Sequence, residues 1–425
     1  MSGRTSARAG SGPWHVVTIV ENLPLGADHR LRKQVETLLS HGCRVTVVCS
    51  RHELNAPYRS RADLTLVEYQ PPPEPRGPLG QVVEYAWSGL AAVVLLARVR
   101  SRGRVDVVQL CQPPDMYFPL AGLLRRAGSR VVVDQRDMMP ELLAARYPSA
   151  PRAVTRLLHL FERRTQRAVD HTITVNEHLR DRLEVAGGTG KVSVVWNGPV
   201  LARVDAARPA PELREGCAHL VVWVGKMGVQ DRVELVVEVA EALVGQGRTD
   251  VRFAVIGDGE RLEALRAEVT SRGLSPWVTC TGWLPEDRVF RYLATADVGL
   301  DTSLQHEVTP VKAIEYMSFG LPFAAFDLPE TRKLAEDAAL LAEPGDVDAL
   351  ARALAEILDH EPTRSRLSRA GRRRVEASLS WERQEPSFLA AVGPATDPGP
   401  PRSRARRHGS GEAWPGLERQ VRPVG

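Results

Sequence analysis

Thr309 to Gly320, TPVKAIEYMSFG, places a lysine and a glutamate at the start of a well-delimited helix, an arrangement suited to holding phosphate and sugar. Thr309 suits the N-cap and Pro310 the first helical position. Gly320 with Pro322 marks the exit, leaving backbone N–H groups ready for an anion. Lys312 adds a positive charge where the helix dipole disfavours one, and an anionic ligand would explain it. Glu315 lies three residues on along the same face, within reach of hydroxyl groups attached to that anion. An ordinary surface Lys/Glu pair on a cap that binds nothing accounts for this window equally well.

A second anion-suited element is Gly225-Lys226-Met227-Gly228, directly after the apolar run Leu220 to Val224. Its glycines let the backbone approach an anion while Lys226 supplies charge. Taken alone, that lysine reads more simply as a solvent-facing turn residue. The loop is neither a dinucleotide fingerprint nor a Walker loop, because GxGxxG and a GK followed by Ser or Thr are both absent. Its value comes from recurring near the other anion-suited stretch, Thr309 to Lys312.

The elements that must position these groups alternate between buried strands and amphipathic helices. Val16 to Val20, Asp28 to Ser40 and Val45 to Cys49 set the rhythm of a parallel sheet, with Leu31, Val35, Leu38 and Leu39 forming the apolar stripe of the helix. Val105 to Leu110, Val131 to Val133, Thr172 to Val175 and Val192 to Val195 continue it. The segment after Asn197-Gly198-Pro199 reads as a bridge, and the pattern restarts with Leu220 to Val224, Arg252 to Ile256, Val278 to Thr281 and Val298 to Leu300. Four strand ends then lead into polar or glycine-rich loops, where parallel sheets bind ligands. The predicted organisation is a lead at 1–14, a first Rossmann-like domain at 15–200 on the acceptor side, and a linker at 201–215. A second Rossmann-like domain at 216–380 binds the donor, a segment at 381–392 packs back on the first domain, and a disordered tail follows at 393–425.

Composition narrows the partners. The 425 residues carry a formal charge of +4, which a phosphorylated substrate or an anionic surface explains as readily as nucleic acid does. Aromatics are only 5% and no interleaved basic and aromatic platform is present, so nucleic acid is not expected. Arg152, Arg156, Arg163, Arg164 and Arg167 share one helical region opposed only by Glu162, which leaves contact with an anionic membrane open beside a solvated helix face. Trp87 to Val99 is too short to span a bilayer and predicts a buried helix. No apolar export segment opens the chain, which predicts a cytoplasmic protein. The five scattered cysteines lack metal spacing, and no carboxylate-rich motif predicts a metal site or a resident cofactor. Oligomeric state is not legible.

Together, ENLPLGADHR, QPPD, DQRDMMPELL, WNGP, VGKMGVQD, IGDGE, TGWL, TPVKAIEYMSFGLP and FDLPETR resemble, in that order, the retaining glycosyltransferases of GT-B architecture and family 4 type. The likeness covers most of residues 15 to 390 and is similar to a bacterial branch that builds surface polysaccharides or decorated metabolites. Glu307 and Glu315, with seven residues between them, match the spacing of that family's paired glutamates. The resemblance implies an α/β fold with two Rossmann-like domains facing across a cleft. It implies a UDP-, GDP- or dTDP-sugar donor, a hydroxylated acceptor and a retaining transfer in which a phosphate oxygen assists deprotonation of the acceptor. It places Gly225 and Lys226 near the diphosphate, Gly282 and Trp283 near the base, the backbone of Thr309, Pro310, Val311 and Lys312 near phosphate, Glu315 on the ribose, and Glu307 beside the sugar. Lys226, Glu307 and Lys312 are its implied catalytic groups.

The chain departs from the family in two places. The second basic residue expected after the Val-Gly turn falls in Gln230-Asp231-Arg232, where Arg232 is the candidate replacement. Where a histidine is expected after Val131 to Val133 the chain reads Asp134-Gln135-Arg136-Asp137, with Gln135 and Arg136 in its place; Arg136 can contact phosphate or carboxylate, and helix capping is the plainer role for Asp137. Acceptor-side candidates near the first loop are Asn22, Gly26, Asp28, His29 and Arg30. A sugar-nucleotide epimerase and a degenerate, non-catalytic partner protein are the alternative readings.

Overall fold

The computed structural model describes residues 13–21, 23–71, 77–113, 115–147, 151–228, 231–305 and 309–393. Asn22 and Glu307 lie outside them, as do 1–12 and 394–425. In chain order the first half runs β1 His15–Ile19, α1 His29–Ser40, β2 Arg44–Ser50, α2 Ala56–Arg59, β3 Leu64–Tyr69, α3 Gly77–Ser101, β4 Val107–Gln112, α4 Phe118–Arg126, β5 Arg130–Gln135, α5 Met139–Arg146, α6 Arg152–Ala168, β6 His171–Thr174, α7 Glu177–Leu183 and β7 Val192–Val194. The second half runs α8 Leu201–Ala206, β8 His219–Val224, α9 Glu234–Gly245, β9 Val251–Ile256, α10 Leu262–Ser271, β10 Val278–Gly282, α11 Glu286–Thr295, β11 Val298–Asp301, α12 Val311–Ser318, β12 Phe323–Phe326, α13 Pro329–Ala335, β13 Ala339–Ala342, α14 Val347–Asp359, α15 Glu361–Arg374 and α16 Trp381–Val392.

The strands make two parallel sheets, ordered β3-β2-β1-β4-β5-β6-β7 and β10-β9-β8-β11-β12-β13. Both are doubly wound, and each reverses its strand order beside its first strand, so the loops after β1 and β4, and after β8 and β11, open a crevice at the C-terminal sheet edge. Val16, Val45, Val107 and Val132 face α1 and the returning α16, whose Trp381, Phe388, Ala391 and Val392 complete that core. On the opposite face Val17, Ile19, Val108 and Val131 meet Ala92 and Leu96 of α3 and Ala121 and Leu124 of α4.

The structure corrects the reading of Trp87 to Val99. The helix there runs 25 residues, and only its inner stripe is buried. Trp87 is 53% exposed and Leu90 65%, because α3 covers the sheet with one side and nothing among the described residues covers the other.

Candidate functional site

The helix of the TPVKAIEYMSFG stretch begins one residue later than predicted. Pro310 is the N-cap, α12 starts at Val311, and no side chain caps it. The physical reason is that the Thr309 hydroxyl accepts a hydrogen bond from Asn176 Nδ2 at 2.8 Å, a buried contact from the first domain to the second. Asn176 also caps α7 by accepting from Leu179 N at 2.7 Å, so this side chain is fixed at both ends.

Tyr316 sets the position of α12. Its hydroxyl accepts from Val224 N at 3.1 Å and donates to the Leu300 carbonyl at 3.0 Å, tying the helix to the ends of β8 and β11. The ring needs the bare backbone of Gly299, since a Cβ there would sit 2.5 Å from it. Held this way, Lys312 turns to Asp301 at the end of β11, with Nζ to Oδ1 at 3.1 Å, and lies 4.7 Å from the centre of the Trp223 ring. Glu315 is not its ion-pair partner, contrary to the simple Lys/Glu pair. Lys312 is 12% exposed and Asp301 3%, so the pair is largely desolvated and short of a third group rather than a second.

Gly225 adjoins this lysine. A Cβ on Gly225 would meet Lys312 Cε at 3.3 Å, which brings the two predicted anion elements into one place. The loop is shaped by its neighbour, Gly257-Asp258-Gly259. Gly257 has φ of 146° and a Cβ there would lie 1.8 Å from the Gly225 carbonyl oxygen, so only glycine permits the approach. Met227 N donates to Asp258 O at 2.9 Å and Arg261 N to Met227 O at 3.1 Å, closing the two loops on each other. Lys226 is exposed and has no ion-pair partner among the described residues. Asp137 of the first domain faces it across the cleft, itself exposed. Desolvation by the surrounding cleft raises the Asp137 carboxyl above its ordinary value, opposed by the charges of Arg136 and Lys226. Asp137 caps no helix, because Met138 is the N-cap of α5.

The remaining donor-side residues divide. Trp283 stands 54% exposed just after Gly282, whose positive φ of 76° turns the chain there. Arg232 is turned to Glu234 at 2.6 Å in its own loop.

Glu315 is half-buried, and its carboxylate has no hydrogen-bond partner among the described residues. Burial raises its carboxyl, opposed by His29 and Lys33, with Glu286 raising it further and Lys312 lowering it. Three of those four groups form the domain junction. Glu286, at the start of α11, accepts from His29 Nδ1 at 3.0 Å and Arg32 at 2.7 Å in α1, and pairs with Arg203 of α8 at 2.6 Å. Its own burial is outweighed by the His29 hydrogen bond and the charges of Arg203 and Arg32, which hold the carboxyl down at about 2. Burial, with Arg30 beside it, pulls Lys33 down to about 7, while its ammonium donates to Asn197 Oδ1 at 2.9 Å.

Most acceptor-side candidates from the first domain point inward. Arg30 forks onto Asp134 at 2.9 to 3.1 Å and reaches the Val195 carbonyl at 2.7 Å. Arg136 bridges Asp28 and Asp134, and Asp28 caps α1 by accepting from Leu31 N at 2.9 Å. This closed network of two arginines and two aspartates corrects the expectation that Arg136 is available to a substrate anion. Gln135 is buried and donates to Asp115 at 2.9 Å, and Gly26 packs where a Cβ would lie 2.0 Å from the Leu54 carbonyl oxygen. His29, with its side chain 58% exposed, and Asp137 are the candidates that face the cleft.

Sequence reasoning missed Asp301, Tyr316, Glu286, Asn176 and Lys33. Asp301 carried a signal, an acid at the end of an apolar strand, whereas Arg32, which Glu286 meets in α1, lies 254 residues away in sequence and Thr309, which Asn176 meets, lies 133 away. It also missed Glu21, after β1, whose buried carboxylate oxygens have no partner among the described residues. Burial, with Glu84 nearby, raises its carboxyl to about 8.

Residues 26–198 match the family described as "Glycosyl transferase 4-like domain" and residues 218–360 the one described as "Glycosyl transferases group 1". The chain is 35% identical to the 2-deoxystreptamine glucosyltransferase of Streptomyces kanamyceticus over 179 residues, 40% of this chain and 44% of that protein. It spans under half the length of the first curated relatives it matches. Among solved structures, sucrose-phosphate synthase from Thermosynechococcus elongatus superposes with a TM-score of 0.70 at 18% identity, covering 88% of this chain and 97% of that one. The Anabaena protein HepE, solved in complex with UDP-glucose, gives 0.68 at 14% identity, covering 88% and 98%.

Proposed function

Since the chain belongs to the glycosyltransferases of GT-B architecture and family 4 type, we propose that it transfers a sugar, with retention, from a nucleoside-diphosphate sugar to a hydroxylated acceptor. The observation that carries this reading is the junction of the Gly225 loop with Lys312, beside an exposed, unpaired Lys226 and an unpaired Glu315.

In the proposed complex the donor diphosphate lies between Lys226, Lys312 and the first turn of α12. Lys312 then has the third group that its pair with Asp301 lacks, and both lysines stabilise the charge that develops as the sugar leaves. Glu315 accepts hydrogen bonds from the ribose hydroxyls, and the exposed indole of Trp283 borders the base. Acceptor attack occurs on the face from which diphosphate departs, a phosphate oxygen takes the acceptor proton, and no protein nucleophile is required. Asp137 and His29 flank the acceptor side. The name of the Streptomyces relative makes an aminocyclitol the first acceptor to try.

The test is incubation of the purified protein with UDP-, GDP- and dTDP-sugars and a panel of acceptors, with product mass and anomeric configuration read by NMR. Release of nucleoside diphosphate that depends on acceptor, with an unchanged anomeric configuration, is expected. Saturable binding of none of the donors would oppose the donor site, and an inverted product would oppose the mechanism.

A further inference from the structure

The helices α3, α4 and α6 lie side by side on one face of the first sheet. Ala92 and Leu96 of α3 and Ala121 and Leu124 of α4 share one apolar cluster. Phe118 of α4 packs on Phe161 of α6 with ring centres 5.5 Å apart, and Arg100 of α3 bonds Ser129, just after α4, at 2.6 Å. The outer side of this layer is apolar where a water-facing layer is usually polar. On α3 Val83, Trp87, Leu90 and Val94 recur at helical spacing, 64%, 53%, 65% and 42% exposed. Leu123 of α4 is 62% exposed and Leu157 of α6 47%.

The charges on the layer have one sign. Arg98 on α3, Arg126 on α4, and Arg156, Arg163 and Arg164 on α6 are exposed, while Glu84 is half-buried and Glu162 is buried. Among the described residues no acidic side chain of these three helices is exposed. An apolar surface studded with cations and free of anions matches the chemistry of an anionic lipid interface, where acyl chains take the leucines and headgroups the guanidiniums.

We propose that this layer seats the protein on an anionic bilayer, with α3 lying in the interfacial plane. The helix is long and apolar enough to cross a membrane, yet its inner stripe completes the first domain's core, so leaving the sheet would uncover Val17, Ile19 and Val108. Lying flat satisfies both sides of the helix. A second copy of the chain fits the same face poorly, because a two-fold contact sets identical patches together and would oppose arginine to arginine with no exposed acid between them. The surface is separate from the donor site, so the proposal stands or falls independently of sugar transfer.

The experiment is co-sedimentation of the full chain with phosphatidylcholine vesicles and with vesicles in which roughly one lipid in three is phosphatidylglycerol. The variants are Leu90→Glu with Val94→Glu, and Arg156→Glu with Arg163→Glu. Partition onto the anionic vesicles is expected, lowered at least about tenfold on neutral vesicles and about tenfold or more by either variant, and weakened by salt. Circular dichroism melts and sugar-nucleotide binding of the variants should match the parent, which separates lost docking from lost folding. Absence of partition, or partition untouched by both variants, would overturn the proposal. So would a dimer in light scattering that Leu90→Glu with Val94→Glu dissociates while lipid binding is absent, which would assign the face to a second copy.

Discussion

Glu286 joins the two domains by charge, and Glu286→Gln removes that charge while keeping the size of the side chain. Two arginines and His29 surround the carboxylate at 2.6 to 3.0 Å, and the side chain is 16% exposed. The gap between its ordinary value of 4.5 and about 2 corresponds to at most about 3.4 kcal/mol, at about 1.36 kcal/mol per pH unit. Arg203 is 51% exposed and its share is screened, so about 2 kcal/mol is the expected loss at pH 7. At about 2–4 °C per kcal/mol this lowers the melting temperature by about 4–8 °C. The sign with pH follows from a folded value held below the unfolded one. The stabilisation is complete above about pH 5.5 and is lost as pH falls through 4.5 toward about 2. The difference between parent and variant should therefore be about 1 kcal/mol smaller at pH 3.5 than at pH 7. Differential scanning calorimetry at both pH values, with Arg32→Gln completing a double-mutant cycle, measures the effect. A fall below about 1 °C at pH 7, or additivity of the two substitutions within about 0.3 kcal/mol, would refute the clamp.

Lys226→Ala should weaken sugar-nucleotide binding about tenfold or more in calorimetric titration, with stability changed by less than about 0.5 kcal/mol because the side chain is exposed and unpaired. Lys312→Met strands Asp301 in a desolvated site and should cost about 3 kcal/mol by denaturant unfolding. Adding Asp301→Asn should restore much of that stability without restoring donor binding. Gly257→Ala should destabilise by about 2 kcal/mol or more and weaken donor binding, since the new methyl group displaces the Gly225 carbonyl, and an unchanged melting curve would count against that packing. Glu21→Gln should stabilise the protein, and more at pH 8.5 than at pH 5. The folded carboxyl is raised to about 8, so the parent's stability is full below about 4.5 and falls as pH rises through 8, a loss that melting curves of the glutamine variant should not show.

The parallel α/β rhythm was legible because most strands are continuous apolar runs that must be buried on both faces, as β1, β2 and β8 are. The edge strand β3 and the four-residue strands β12 and β13 carry too little pattern to stand out, and Leu64–Tyr69 alternates weakly. Lys312 and the glycine loops were legible as types of residue, since a lysine in a first helical turn asks for an anion. Their partners were not. Asp28 meets Arg136 across 108 positions of sequence, and nothing local marks either as part of a closed network. The same limit explains the Thr309 cap, which is a good local choice overridden by Asn176 from the other domain. Trp87 to Val99 misled for a different reason, because apolar composition reports an affinity for a non-aqueous neighbour and is silent on whether that neighbour is the protein itself.

The return of α16 to the first domain has a consequence for the order in which the chain is completed. Trp381 and Phe388 are core residues of the first domain, and Trp381 Nε1 donates to Thr37 at 2.9 Å across 344 positions of sequence. The second sheet, β8 to β13, is therefore an insertion within the first domain's sequence. During synthesis from the N-terminus every strand of that inserted sheet emerges before Phe388 does. The later-made domain can reach its finished state first, while the earlier one waits with an open core for α16 to arrive. A chain cut before Trp381 would keep all seven strands of its first sheet and lack the side chains that seal it.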